Sequence, residues 1–310
     1  MIRPLHPLDA PRYALTRGGG LSNRAYTADS LSGARRPRLS VWEAARLGLS
    51  LQSRGLCSVA WTESSRVVGI AAASPRSGSR SWEVVQLLLV PHEDSGPDNI
   101  LNGLSQRLAR KGGERVFIRL RKNDPLVDVV GRCGYIPCAR ELVYKGRSRL
   151  TSGRRSITVR EKSPADDYGL FRLYLASSPS ETRLAVGVTF DQWASSRELT
   201  RGRCREFVFE SDGQIRGWLR TVQRFGASQL TVVIHPEEET NVGALMDQGL
   251  ERLKGAATVY CLVPEYQGLL QRLLLQRGYK AVSEYVTLVR SMVVKARSEE
   301  DRRAVTIAST

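Results

Sequence analysis

Long apolar runs are missing from this sequence, and their absence limits where the protein can work. Across the 310 residues, no uninterrupted apolar stretch approaches the roughly 20 residues of a membrane-spanning helix. Residues 1–13, MIRPLHPLDAPRY, contain no apolar segment typical of a secretory signal peptide. We therefore expect a cytoplasmic protein that does not cross a membrane.

Patterns of metal-binding and disulfide-forming residues are also missing. The five cysteines, Cys57, Cys133, Cys138, Cys204 and Cys261, are scattered along the chain. None forms a CxxC pair, and none lies at ligand spacing from one of the three histidines. We expect no metal site, and we expect the cysteines to be buried free thiols.

Lysine is scarce, although the formal net charge is +16. Only seven of the 47 basic residues are lysine, and the arginines are spread along the whole chain. A large positive charge can indicate a nucleic-acid partner, but an arginine skew also follows from genome composition. No nucleic-acid-binding motif accompanies the charge, so both explanations stay open.

The clearest pattern present is the stretch Trp82–Arg110. Val84–Val90 is an almost unbroken apolar run ended by Pro91, which is typical of a strand buried on both faces. After a polar loop, apolar residues recur at helical spacing: Ile100, Leu101, Leu104 and Leu108. Asp98 and Asn99 are good N-cap candidates for this helix. A strand that leads through a short loop into a helix N-terminus is a natural binding site for an anion.

The order of predicted elements around this stretch occurs twice along the chain. Both copies contain a short strand, a helical region, a hairpin, a long strand, a loop, a helix, a strand, a helix and a final strand. Landmark residues agree between the copies: Gly69 with Gly217, Pro91 with Pro236, and Gly134-Tyr135 with Gly278-Tyr279. We predict two domains at 1–146 and 157–296, a linker at 147–156 and a disordered tail at 297–310.

This element order resembles the GNAT superfamily of acyl-CoA N-acyltransferases. Three residues separate Glu83 from the apolar triplet Leu87–Leu89, and Val90-Pro91 follow, as at the end of that family's fourth strand. Ten residues separate Asn123 from Gly134-Tyr135, as in the family's last helix. The resemblance implies an α/β fold of tandem GNAT-like domains, each with a mixed central sheet flanked by helices.

The resemblance also implies transfer of an acyl group from acetyl-CoA, or another acyl-CoA, to an amine. Glu83 would act as the base that deprotonates the amine, and backbone N–H groups near Leu89 would polarise the thioester carbonyl. The positions that match the family's contacts with CoA are Leu88, Leu89, Val90, Gly96, Asn99, Asn123, Val233, Ile234, Gly243 and Ala244.

Both loops that would hold the CoA pyrophosphate depart from the family pattern, Arg/Gln-x-x-Gly-x-Gly/Ala. In the first copy, Asp94 replaces the basic or amide residue and Pro97 replaces a glycine. In the second copy, Glu239 replaces the basic residue, and Gly243-Ala244 is all that remains of the pattern. Proline removes a donor N–H, and carboxylates repel a pyrophosphate, so these changes predict weak binding of CoA.

Simpler roles are also open for several of these residues. Glu83 would otherwise be a solvated or paired carboxylate, and His92 and His235 would be exposed residues at strand ends. The acidic run Glu237–Glu239 would occupy the first turn of a helix, where it favours the helix dipole.

Three functions follow as hypotheses. The first is an N-acyltransferase acting in the first copy or across the domain interface, with an amine on a small molecule or a protein as acceptor. The tyrosine that acts as general acid in the family is replaced by Val130 in the first copy and by Leu274 in the second. The first copy keeps Glu83 and Asn123. The second is a non-catalytic tandem GNAT-fold protein that binds a ligand or partner. The third is a transferase that uses aminoacyl-tRNA.

Overall fold

The computed structural model describes residues 1–6, 8–9, 23–31, 55–63, 66–89, 96–148, 157–200, 202–224 and 227–292. Several predicted features lie outside these residues: Val90 and the loop after it, most of the linker and the C-terminal tail.

The strands are β1 (Ile2–Pro4), β2 (Cys57–Glu63), β3 (Arg66–Pro75), β4 (Ser81–Leu89), β5 (Arg115–Arg121), β6 (Ile136–Gly146), β7 (Val159–Glu161), β8 (Arg203–Ser211), β9 (Gln214–Arg224), β10 (Ala227–Ile234), β11 (Val259–Pro264) and β12 (Lys280–Ser291). The α-helices are α1 (Gly96–Arg110), α2 (Leu126–Arg132), α3 (Asp167–Ser177), α4 (Ser180–Val186), α5 (Phe190–Ser196), α6 (Val242–Arg252) and α7 (Gly268–Gln276). Short 3-10 helices span Ala28–Leu31, Pro164–Asp166 and Pro236–Asn241.

The predicted and observed elements differ at two places for physical reasons. Helix α1 begins at Gly96 and not after Asp98 or Asn99, because Pro97 is favourable in a first helical turn, where its missing N–H costs nothing. Helices α3 and α4 were not predicted. In α3 the buried residues Leu170, Phe171 and Leu173 share one face, but apolar side chains also lie outside it, as at the exposed Tyr168, so the pattern in the sequence is weak.

All described strands belong to one mixed sheet. Their order is β1-β2-β3-β4-β5-β12-β6-β11-β10-β9-β8-β7. The last strand of each copy is exchanged: β12 pairs with β5 of the first copy, and β6 pairs with β11 of the second. The two exchanged strands also pair with each other. The sheets of the two copies therefore join into one.

The repeat seen in the sequence also appears in the packing. Gly69 on β3 and Gly217 on β9 lie under the helix that follows the central strand of their copy. A Cβ atom at Gly69 would lie 3.3 Å from Ile100, and one at Gly217 would lie 2.8 Å from Leu245. Both glycines allow that helix to approach the sheet closely, and each copy has its own apolar core beneath it.

No described helix is long and apolar enough to cross a membrane. All five cysteines are free, as predicted; four are buried, whereas Cys204 is exposed. Among the described residues, no cluster of histidine, cysteine or carboxylate side chains is arranged to hold a metal ion.

Candidate functional site

Each copy contains a V-shaped cleft where two parallel strands separate. Strands β4 and β5 pair only from Ser81 to Glu83, and β10 and β11 pair only from Ser228 to Leu230. Beyond these points each strand stays paired with its other neighbour, so the facing backbone edges lose their partners. These edges can hydrogen-bond to whatever lies in the cleft.

The cleft of the first copy is bridged by the chain itself, at Asn23–Tyr26. The Asn23 side chain donates from Nδ2 to the Val85 carbonyl (2.8 Å) and accepts at Oδ1 from the Leu87 N–H (2.9 Å). The Arg24 N–H donates to the Leu87 carbonyl (2.9 Å), and the Tyr26 N–H donates to the Arg119 carbonyl on β5 (2.9 Å). This segment therefore takes the hydrogen bonds that an extended ligand would make with β4.

The cleft of the second copy has no such segment among the described residues, and it opens into a cavity. The cleft cavity has a volume of about 300 Å³. Its walls come from β9, β10, β11, the helices α3 to α5 and two residues of the first copy, Arg76 and Glu141. A cavity of this size suits a small molecule.

A smaller cavity, of about 100 Å³, lies beside the first and reaches the starts of α6 and α7. We call it the helix-end cavity. Ser177, Val232 and Tyr266 line both cavities, so the two are neighbours separated by these side chains. Desolvation of the hydroxyl raises the pKa of Tyr266 above its ordinary value, although the residue as a whole is 41% exposed.

A buried group of charged side chains adjoins the cleft cavity and joins the two copies. Arg76 Nη2 lies 3.2 Å from Glu83 and 3.3 Å from Glu198. Arg119, which is only 2% exposed, lies 2.8 Å from Glu141 and 2.5 Å from Glu198. We call these five residues the charge cluster. Glu198 belongs to the second copy and the other four to the first, so these ion pairs fix the copies relative to each other.

The charge cluster holds three carboxylates against two guanidinium groups, and this imbalance affects its pKa values. Burial raises the pKa of Glu83 to about 7, and the charge of Glu198 adds to the effect, although Arg76 and Arg119 oppose it. Burial also works against ionisation of Glu198, but Arg119 and Arg76 outweigh it and lower the pKa of that carboxyl to about 2. One carboxyl of the cluster can therefore bind a proton near neutral pH.

In the first copy, the predicted site residue Glu83 lies at the apex of the cleft, where β4 and β5 separate. Its carboxyl contacts Arg76 and lies 3.7 Å from Arg119, and it is not among the residues that line the cleft cavity. Leu88 and Leu89 lie further along β4, paired with β3. Gly96 and Asn99 lie in the first turn of α1, and Asn123 lies in an exposed turn after β5.

In the second copy the predicted residues lie close to the cavities. Val233 lines the cleft cavity, and Ile234 lines the helix-end cavity. Gly243 and Ala244 lie in the first turn of α6, where the Gly243 carbonyl accepts a hydrogen bond from Arg277 (3.2 Å). The predicted contacts are therefore divided between the copies, and in the second copy Val233 and Ile234 line a cavity, whereas Gly243 and Ala244 do not.

The acidic run of the second copy occupies the place of the family's phosphate loop. It forms the first turn of the 3-10 helix Pro236–Asn241. Glu237 pairs with Arg216 (3.0 Å), and the Glu238 carboxylate accepts from Asn241. His235 caps this helix by accepting from the Glu237 N–H. Carboxylates here oppose a bound pyrophosphate.

Sequence reasoning missed Asn23, Arg76, Glu141, Glu198 and Tyr266. Two apolar runs carry a partial signal, because each contains one charged residue: the acidic Glu83 in β4 and the basic Arg119 in β5. Charges buried in strands need partners. No local signal identifies Asn23, because its hydrogen bonds depend on a contact distant in sequence.

Comparison with known proteins supports the architecture. No protein-family model matches the chain, and no curated protein matches it in sequence. A GCN5-related N-acetyltransferase from Sphaerobacter thermophilus aligns over 94% of this chain and 95% of its own, with 16% identity and a TM-score of 0.56. A tandem GNAT protein from the clavulanic acid biosynthesis pathway aligns over 94% of this chain and 98% of its own, with 13% identity and a TM-score of 0.52. At these identities the likeness concerns the fold, and the chain therefore has the GNAT fold.

Proposed function

We propose that the protein transfers an acyl group from an acyl thioester, with acyl-CoA as donor, to an amine of a small molecule. The reaction takes place in the cleft of the second copy. One observation carries the proposal: the strand edge of that cleft is open to a cavity, whereas the corresponding edge of the first copy is bridged by Asn23–Tyr26.

The residues of the second cleft fit the thioester end of acyl-CoA better than its pyrophosphate. The free edge of β10 can hydrogen-bond to the amide groups of a pantetheine arm, and the helix-end cavity offers room beside it. The acidic 3-10 helix does not offer a cradle for the pyrophosphate. We therefore assign roles only at the thioester end.

Tyr266 and Glu141 are the side chains that we place in the reaction. Tyr266 stands between the two cavities, where its protonated hydroxyl suits donation of a proton to the departing thiolate. Of the two carboxylates that line the cleft cavity, Glu198 has too low a pKa to be an efficient base near neutral pH. We assign acceptance of the amine proton to Glu141.

Binding of the donor tests the location of the site. At ten times the dissociation constant of acetyl-CoA, we expect the melting temperature to rise by about 2–3 °C. Ser177→Trp fills the junction of the two cavities and should abolish the shift. The matched control is Ser180→Trp, on the exposed start of α4, which should keep it. A shift that survives Ser177→Trp would place the donor elsewhere.

A second candidate function is a ligand-binding protein without catalysis, which the acidic 3-10 helix favours. Release of free thiol from acetyl-CoA in the presence of a panel of small amines separates the two. We expect thiol release that falls at least about tenfold in both Tyr266→Phe and Glu141→Gln. Ligand binding with no thiol release under any amine would support the non-catalytic protein.

A further inference from the structure

Two arginines and a tryptophan bring N–H groups to the wall of the cleft cavity: Arg76, Arg220 and Trp218. The Nε atoms of both arginines and the Trp218 Nε1 atom have almost no accessible surface, so a ligand in the cavity does not reach them. Arg76 is already bonded to Glu83, to Glu198 and to the Ser196 carbonyl. Arg220 is therefore the side chain of the three that can offer its terminal guanidinium nitrogens to a ligand.

The carboxylates of the same cavity are already engaged. Glu141 accepts from Arg119 and from the Thr287 hydroxyl (2.9 Å), and Glu198 accepts from both Arg119 and Arg76. Both bonds fall on Glu141 Oε2, whereas Glu141 Oε1 has only a long contact with Arg119 (3.4 Å) and can still accept from an amine. The carboxylates leave Arg220 to an anionic group of the ligand.

Three arginines and two glutamates line the cavity. Arg197 is held by Asp167 (3.1 Å) and Glu206 (3.2 Å), which lie outside the cavity. Among the described residues, Arg220 has no carboxylate within ion-pair distance, so its charge is available to a ligand.

The remaining walls are apolar and aromatic. Leu170, Leu173, Tyr174 and Trp193 face this space, and the volume of about 300 Å³ accommodates a ring with a short substituent.

We propose that the acceptor is a small aromatic amine that also carries a carboxylate, held by Arg220. The identification of this ligand as the acceptor rests on the proposed function. The binding of an aromatic carboxylate does not, and it can be measured without any acyl donor.

The binding test uses two probes of the same shape, 3-phenylpropionate and its neutral amide, 3-phenylpropionamide, measured by calorimetry with the full chain. We expect the carboxylate to bind at least about tenfold more tightly, because charge-assisted hydrogen bonds from Arg are stronger than neutral ones. Arg220→Gln should remove that preference and leave the affinity for the amide unchanged. Arg203→Gln, an exposed charge loss on β8, is the matched control and should preserve it.

The turnover test compares phenylalanine with phenethylamine, which lacks the carboxylate, in thiol release from acetyl-CoA. We expect kcat/KM to be at least about tenfold higher for phenylalanine in the unsubstituted protein and about equal for the two amines in Arg220→Gln. Tight binding of 3-phenylpropionate without turnover would contradict the proposed function and leave the binding inference standing. Equal binding of the two probes would overturn the inference even if acyl transfer occurs.

Discussion

The charge cluster shows at residue scale how the protein tolerates five buried charges. Burial of an unpaired charge is costly, so each carboxylate must contact a guanidinium group. Arg119 meets this need for three carboxylates at once, and Arg76 stacks over the Phe117 ring (3.8 Å) while contacting two. The net excess of one negative charge falls on Glu83, whose pKa is raised to about 7.

Glu83→Gln tests this assignment through the pH dependence of stability. The unfolded carboxyl takes up its proton near its ordinary pKa of 4.5, whereas the folded one takes it up near 7. Between these values the folded state binds more protons, so the free energy of unfolding falls as the pH rises from about 4.5 to 7. In urea denaturation, this fall in the free energy of unfolding should be on the order of 1–3 kcal/mol over that window. Glu83→Gln should remove it.

Glu284→Gln is the control for that experiment, because Glu284 forms only an exposed pair with Lys122. Surface pairs contribute about 0–1 kcal/mol, so this variant should keep the slope of the unsubstituted protein. A Glu83→Gln profile parallel to that of the unsubstituted protein would show that Glu83 is ionised throughout.

The sequence indicates that Glu83 is unusual, but it does not indicate what Glu83 does. The partners Arg76, Arg119 and Glu198 come from three different elements, and only the strand pairing and the contact between copies bring them together. A charge in an apolar strand indicates that a partner exists; its identity is a property of the tertiary structure. The assignment of Glu83 as direct base stays a prediction. We favour Glu141, because the Glu83 carboxyl contacts Arg76 and does not line the cleft cavity.

At the scale of elements, the two clefts differ because one is bridged. Asn23 mimics a backbone unit, since its amide both donates to and accepts from β4, next to the irregular pairing near Val85. Arg24 holds the segment in place through a bidentate pair with Asp124 (2.5 and 3.0 Å). The second copy keeps a regular β10 edge and an open cavity.

Asn23→Ala should destabilise the protein measurably. The substitution leaves the Val85 carbonyl and the Leu87 N–H without their side-chain partners, and each unsatisfied buried group costs about 1–3 kcal/mol. We expect a loss of about 2–4 kcal/mol in urea denaturation. Asn123→Ala removes an exposed amide in a turn and should change stability by less than about 0.5 kcal/mol. Equal stability of the two variants would mean that Asn23–Tyr26 does not hold β4.

Elements with strong local periodicity were predictable. The strand Arg115–Arg121 is marked in the sequence by alternation, and the helix Leu126–Arg132 by the glycine that follows it. Asn23–Tyr26 was not predictable, because four residues without periodicity acquire their conformation from a strand distant in sequence.

At the scale of the molecule, the exchange of β6 and β12 makes the copies interdependent. Strand β12 pairs with β5 and β6, both of the first copy, and the single sheet therefore has no seam between the copies. The predicted limits at 1–146 and 157–296 divide the sequence into repeats, but neither repeat contains all the strands beside its own core.

Separate expression of the two repeats tests this interdependence. We expect residues 1–148 alone to aggregate or to exchange strands with a second copy, because β5 and β6 both lose β12 as a neighbour. Co-expressed with residues 157–292, the fragment should co-purify as a one-to-one complex. A monomeric, cooperatively folded 1–148 fragment would show that the exchanged strand is dispensable.

The central claim is that the second cleft binds the acyl donor, and hydrogen exchange with acetyl-CoA present tests it most directly. On addition of saturating acetyl-CoA we expect slower amide exchange in peptides that cover Thr231–Ile234 and the turn containing Tyr266, where the free strand edge and the cavities lie. Exchange at Val85–Leu89 should not change, because Asn23–Tyr26 already protects that edge. Protection at Val85–Leu89, with none at Thr231–Ile234, would contradict the claim and return the reaction to the first copy.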